Sequence, residues 1–134
     1  MSLPREIALS DEEIDGVMTD QWNLRIATIG PGTKINLTPM WFGWVQGKIY
    51  ISARGQKVVN LRRNPQCTVL VDKNEKFPEL QGIMMYCRAV VLESKDEEEG
   101  DPGLMEARIH MGEKYNGGHG QPVADPPQPM AATA

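Results

Sequence analysis

Cysteine, histidine and aromatic residues are all scarce in this chain of 134 residues, and no apolar run comes near the roughly 20 residues that a membrane-spanning helix needs. The two cysteines, Cys67 and Cys87, lie far apart, each in an apolar, strand-like run. They read as buried structural thiols and not as a metal or redox pair, and no disulfide is assumed. The two histidines, His110 and His119, have no cysteine or carboxylate at ligand spacing, which leaves no metal site to argue for. Positive charge is short as well. A formal net charge of -4 and a pI near 5.2 exclude a general nucleic-acid binder, whose affinity rests on neutralising phosphates. The first residues, Met1 to Asp15, are acidic and lack the apolar centre of a secretory leader, so a cytoplasmic protein without a membrane segment is expected.

What the chain does have is enough apolar sequence, 40%, for one core. Ser10-Asp-Glu-Glu13 has the pattern of a capping box, with Leu9 and Ile14 placed as a hydrophobic staple, so the spacing predicts a helix from Asp11 to about Thr19. From Trp22 the period shortens to two. Leu24 to Ile29 reads as a strand, Gly30-Pro-Gly-Thr33 as a turn, Lys34 to Val45 as the returning strand, Gln46-Gly47 as the next reversal and Lys48 to Ser52 as a third strand. Val58, Leu61 and Arg62 then fall at helical spacing, ended by Asn64-Pro65, because the residue before proline is pushed out of the helical region. Cys67 to Val71 and Gly82 to Leu92 supply two more strands. Glu93 to Asp101 reads as a solvated acidic turn, with Pro102 at the start of a helix through Met111. Residues 1–115 form the expected domain, and 116–134 a Gly/Pro/Ala-rich tail read as mobile. A sheet with one apolar face and few helices to cover it closes most economically into a small barrel.

The segment with the most chemistry is Ser52-Ala-Arg54-Gly-Gln56-Lys57. It sets a hydroxyl and two cations in a strand-to-helix turn, where backbone N–H groups are unpaired, and that is the chemistry of a phosphate seat. Read without a ligand, Arg54 and Lys57 are surface cations at the helix end where positive charge is slightly unfavourable. In the returning strand, Met40, Phe42 and Trp44 face one way and Trp41 and Gly43 the other. Such a strand either fills a core or passes beside a flat ring.

Together, Asn23-Leu-Arg-Ile-Ala-Thr28, the Pro39-Met-Trp-Phe strand and Lys57-Val-Val-Asn-Leu-Arg-Arg-Asn-Pro65 leading into Cys67-Thr-Val-Leu-Val-Asp72 resemble the pyridoxamine-5'-phosphate-oxidase-like split-barrel family, and within it the actinobacterial flavin/deazaflavin-dependent oxidoreductases. The resemblance covers about Leu9 to Tyr115. It implies a mainly β fold, an antiparallel six-stranded split barrel with short flanking helices, working as a homodimer with FMN or coenzyme F420 at the subunit interface. It further implies that Pro39, Met40 and Trp41 pass beside the tricyclic ring and that Ser52, Arg54, Gln56 and Lys57 hold the phosphate. Gln81 would lie near the ring, the Lys73 to Leu80 loop would approach the partner's cofactor, and Lys34, Arg62 and Arg63 are candidates for the acidic tail of F420. Members of the family usually carry one more strand after the Gly-rich segment, ending near a tryptophan-aspartate pair that this sequence does not contain. The expectation is that the barrel is completed differently or that the sequence is a piece of a longer one. The C-terminal arginine and histidine with which pyridoxamine-oxidising members hold their substrate are also missing, so true pyridoxamine-phosphate oxidase activity is not expected.

The expected function is thus a hydride transfer between F420, or else FMN, and a small organic substrate. The cofactor supplies the chemistry, so the protein needs no catalytic acid or base. The competing expectation is a split barrel that binds or carries flavin, deazaflavin or haem without turnover.

Overall fold

The computed structural model describes residues 9–76, 80–116 and 128–133; the Phe77-Pro78 loop and His119, on both of which the sequence raised expectations, lie outside the described residues. The chain opens with helix α1 (Asp11–Asp20) behind the expected capping box: Glu13 N–H donates to Ser10 Oγ and Ser10 N–H to the Glu13 carboxylate. Strands β1 (Leu24–Ile29), β2 (Ile35–Met40), β3 (Gly43–Val45) and β4 (Lys48–Ala53) follow, then helix α2 (Gln56–Arg63) and the long strands β5 (Gln66–Lys73) and β6 (Gln81–Val91). Two helices, α3 (Lys95–Glu99) and α4 (Leu104–Met111), and strand β7 (Gln128–Thr133) follow, and short helical turns cover Pro31–Thr33 and Gly112–Asn116. The Gln46-Gly47 reversal is a two-residue hairpin with positive φ at both residues, 50° and 77°.

All strand pairs are antiparallel, in the order β2-β1-β5-β6-β7-β4-β3. This order forces closure. At the usual strand spacing the two edges of a flat sheet of this width would stand roughly 29 Å apart. The edge strands β2 and β3, however, are joined only by Trp41 and Phe42, whose stretch of chain spans at most about 11 Å. The sheet therefore curls round into a barrel. Leu24, Ile26, Ile49, Ile51, Val69, Val71 and Ile83 point into it, and Val17 and Met18 of α1 and Val58 and Leu61 of α2 pack on the same core. Outside it, α4 lies on β3 and β4 through Val45, Tyr50, Leu104 and Ala107.

Three expectations are corrected. The returning strand is not continuous: the Tyr115 hydroxyl accepts from Phe42 N–H (2.9 Å) and lies 3.0 Å from Phe42 C=O, taking the groups a ladder would use, so β2 and β3 separate onto opposite edges. The sheet has seven strands, not the six that the resemblance implied: the returning strand is divided into β2 and β3, and Gln128–Thr133, left outside the sheet by the sequence reading, inserts between β4 and β6. The acidic turn contains a short helix, α3, capped by Ser94 Oγ on Glu97 N–H. On β6, Ile83 is buried in the core, and the outward residues include Met84, Tyr86 and Val90.

Candidate functional site

The site is built where α2 starts. Gly55 precedes the helix with φ 84°, a left-handed conformation that glycine adopts without strain, and no side chain caps the helix. The first turn of α2 carries no acidic residue, so its free N–H groups and the positive end of its dipole meet only Arg54 and Lys57. Arg54 is exposed, and half-buried Lys57 donates from Nζ to the Arg54 carbonyl (3.0 Å). An anion there relieves the crowding of like charge and satisfies the amides.

Beside this turn lies a groove of about 470 Å³ lined by Gly30, Pro31, Lys34, Asn36, Gln56 and Asn60. Its floor is held by a buried polar relay: Gln56 Nε2 donates to Asn60 Oδ1 (2.8 Å), and Asn60 Nδ2 donates to Thr28 Oγ1 (3.0 Å). Asn60 and Thr28 are both essentially inaccessible. Gly30 is required by close approach, since a Cβ there would sit 3.3 Å from both Asn60 Oδ1 and the Lys34 carbonyl. Along β2, Asn36 and Thr38 each present a buried side-chain oxygen without a partner among the described residues. Buried polar atoms are nearly always satisfied, so two on one face of one strand set this stretch of β2 apart.

Of the residues singled out from sequence, Arg54, Gln56 and Lys57 come together at the α2 turn, and Ser52 lies on β4 just before it, half-buried. Pro39, Met40 and Trp41 lie at the far end of β2 from the groove, roughly 10 to 17 Å along the strand from Asn36. Exposed Pro39 faces out, Met40 packs on the core, and Trp41 stacks on Tyr115 with ring centroids 4.3 Å apart while staying 44% exposed. Gln81 is not brought to the others within this chain: β6 is three positions from β2 in the sheet, about 14 Å at the usual spacing. Lys34, named from sequence for an acidic tail, lines the groove, whereas Arg62 is paired with Glu93. Sequence reasoning gave no role to Asn36, Thr38 or Asn60. Asn60 carried a signal, because asparagine is a poor choice inside a helix unless its side chain is used elsewhere.

Nearby, Tyr115 anchors an aromatic cluster with Trp22 and Trp41, and burial pushes its hydroxyl up to about 12. The described residues contain no cluster of histidine, cysteine and carboxylates able to hold a metal, and no helix long and apolar enough to cross a membrane.

No family model and no curated protein matches the chain in sequence. Solved structures do match in shape. The conserved hypothetical protein Rv2991 from Mycobacterium tuberculosis is 24% identical, with a TM-score of 0.76 over 98% of this chain and 83% of that one. An FAD-binding protein from Mesorhizobium loti is 20% identical, with a TM-score of 0.62 over 94% and 96%. HutZ, the heme storage protein from Vibrio cholerae, is 17% identical, with a TM-score of 0.63 over 92% and 87%. Structures named for the pyridoxamine phosphate oxidase family are also among the matches. These likenesses show the fold, a mainly β, antiparallel barrel of the split-barrel type found in pyridoxamine phosphate oxidase-like proteins.

Proposed function

We propose that the chain is a cofactor-binding split barrel that works as an oxidoreductase, passing a hydride between a phosphate-bearing flavin or deazaflavin and a small organic substrate. The observation that carries this reading is the uncapped, acid-free start of α2 flanked by Arg54 and Lys57 and opening onto a polar groove. In this reading the α2 amides, Lys57, Arg54 and Ser52 hold the phosphate. The ligand then extends from the seat into the groove beside Asn36, on the face of β2 that Asn36 shares with Thr38 and Met40. Such a path needs an elongated ligand with an anion at one end and a ring at the other, which FMN and F420 both are. F420 is the first choice on the sequence resemblance, and Lys34 in the groove supplies an extra cation for its acidic tail.

Once bound, the cofactor supplies the hydride chemistry, and the protein's part is to bind, orient and shield the ring. The haem reading, which the names of two neighbours raise, is less well served at this groove, whose lining contains no histidine, cysteine, methionine or tyrosine to ligate iron.

The test is equilibrium binding of F420, FMN and riboflavin in parallel, followed by a search for turnover. Removing the phosphate forfeits charge-assisted hydrogen bonds worth about 1.5–3 kcal/mol each, so riboflavin should bind at least 10-fold more weakly than FMN. Equal affinities would remove the phosphate seat. Tight binding without turnover of any reduced or oxidised substrate would leave a carrier.

A further inference from the structure

Cys67 and Cys87 are directly opposite each other on β5 and β6. The sequence distance between them hides this, because antiparallel pairing joins residues on either side of a long loop. Both are free and buried, packed in the core cluster with Val69 and Ala89. The rung type follows from a neighbour. Ala89 N–H donates to the Pro65 carbonyl (2.8 Å), and in the same register that pair is two residues from the cysteines, so Cys67 and Cys87 also form a hydrogen-bonded pair. Such pairs have Cα atoms about 5.5 Å apart, inside the window a disulfide spans.

We propose that Cys67 and Cys87 are a reversible thiol–disulfide pair, oxidised by a small peroxide. The proposal stands apart from the cofactor reading. One thiolate attacks the peroxide O–O bond, which breaks heterolytically and leaves a sulfenic acid and hydroxide. The second sulfur attacks the sulfenic sulfur and expels its oxygen, which leaves as water with the remaining proton. In sum two thiols and one hydrogen peroxide give one disulfide and two waters, with two electrons passing from sulfur to oxygen.

Reversibility follows from the same rung. Directly opposed Cβ atoms start about 4.5–5.5 Å apart and must approach to about 3.8 Å, and a bond closed against that strain is easily reduced. The ladder can give here, because Pro65 has no N–H and its rung with Ala89 lacks one of the two usual bonds.

The experiment exposes the full, natively folded chain to hydrogen peroxide and follows intact mass, free thiols and cross-linked peptides, with Cys67→Ser and Cys87→Ser measured beside it. The expected result is loss of two hydrogens in mass and of both titratable thiols, a single Cys67–Cys87 cross-linked peptide, and full recovery with dithiothreitol. Each serine variant should instead stop at an oxygen adduct or stay unreacted. The proposal is overturned if the native chain keeps both thiols, if it oxidises only when unfolded, or if the cysteines acquire oxygen without cross-linking. It is equally overturned if dithiothreitol does not restore the thiols.

Discussion

Asn60 Nδ2 donates a 3.0 Å hydrogen bond to Thr28 Oγ1, joining two fully buried polar side chains across 32 positions of sequence. This bond ties α2, and with it the proposed phosphate seat, to strand β1. Asn60→Ala leaves the Thr28 hydroxyl buried without its donor, which costs about 1–3 kcal/mol. Urea unfolding should show that loss. The double variant Asn60→Leu with Thr28→Val removes both partners and should recover a large part of it, as a double-mutant cycle can measure.

Two glycines should respond to alanine in opposite ways. At Gly103 a Cβ would lie 2.4 Å from the Tyr50 hydroxyl, which donates to Asp101 Oδ1 (2.7 Å) and fixes the approach to α4. Gly103→Ala should therefore destabilise by about 1–3 kcal/mol, the usual cost of overpacking. Gly16 is exposed within α1 with nothing near its missing Cβ, so Gly16→Ala should stabilise by about 0.5–1 kcal/mol. Thermal unfolding of the two variants checks both signs.

Lys114 reaches back to the end of α1, donating to the carbonyls of Gln21 (2.9 Å) and Met18 (3.4 Å), with its ammonium 4.0 Å from the Phe42 ring centroid. Burial pulls its pKa down from the ordinary 10.5 to about 8, against the opposing pull of Asp20. Between those two values the unfolded chain binds a proton that the native chain has released. Native stability contributed by this group therefore rises with pH across that window, and the burial penalty is carried in full below it. Denaturant unfolding of the parent and Lys114→Met at about pH 7.5 and 9.5 should show the difference shifting in favour of the parent at the higher pH. No shift would mean that the ammonium is not desolvated.

The outward face of the barrel carries apolar residues in continuous register: Leu37 of β2 pairs with Ala27 of β1, Ala27 with Thr68 of β5, and Thr68 with Tyr86 of β6, flanked by Ile35, Leu70 and Met84. Leu37 is 65% and Tyr86 74% exposed, more apolar area than a lone barrel usually leaves uncovered. We propose a two-fold homodimer through this face. Light scattering should give twice the chain mass, and Leu37→Glu with Tyr86→Glu should halve it. A parent that is monomeric at micromolar concentration contradicts the proposal.

Local signals in the sequence were strong enough to read α1, the Gln46-Gly47 turn, α2 with its Val58–Leu61 face, and the alternation of Met40, Trp41 and Phe42. Each rests on neighbours a few residues apart. What escaped depends on distant partners. The break between β2 and β3 is made by Tyr115, 73 residues from Phe42. The Asn60–Thr28 tether and the pairing of Cys67 with Cys87 likewise exist only after the sheet has closed. Strand β7 escaped because Gln128-Pro-Met-Ala-Ala-Thr133 has little β-branched or alternating character, and its place is set by the gap between β4 and β6. At the candidate site, the cations and the strand-to-helix turn were legible, while the groove beside them was not, because Gly30, Lys34 and Asn36 reach it only through the closed sheet.

The seat at α2 is tested most directly by titrating FMN and F420 into the parent chain, Lys57→Ala and Lys95→Ala, the last an exposed cation on α3. Lys57→Ala removes one charge-assisted hydrogen bond to the phosphate, worth about 1.5–3 kcal/mol, so the affinity should fall by roughly 10- to 150-fold. Lys95→Ala should leave it unchanged. If the Lys57 variant binds both cofactors as tightly as the parent, α2 does not hold the phosphate and the functional reading loses the observation that carries it.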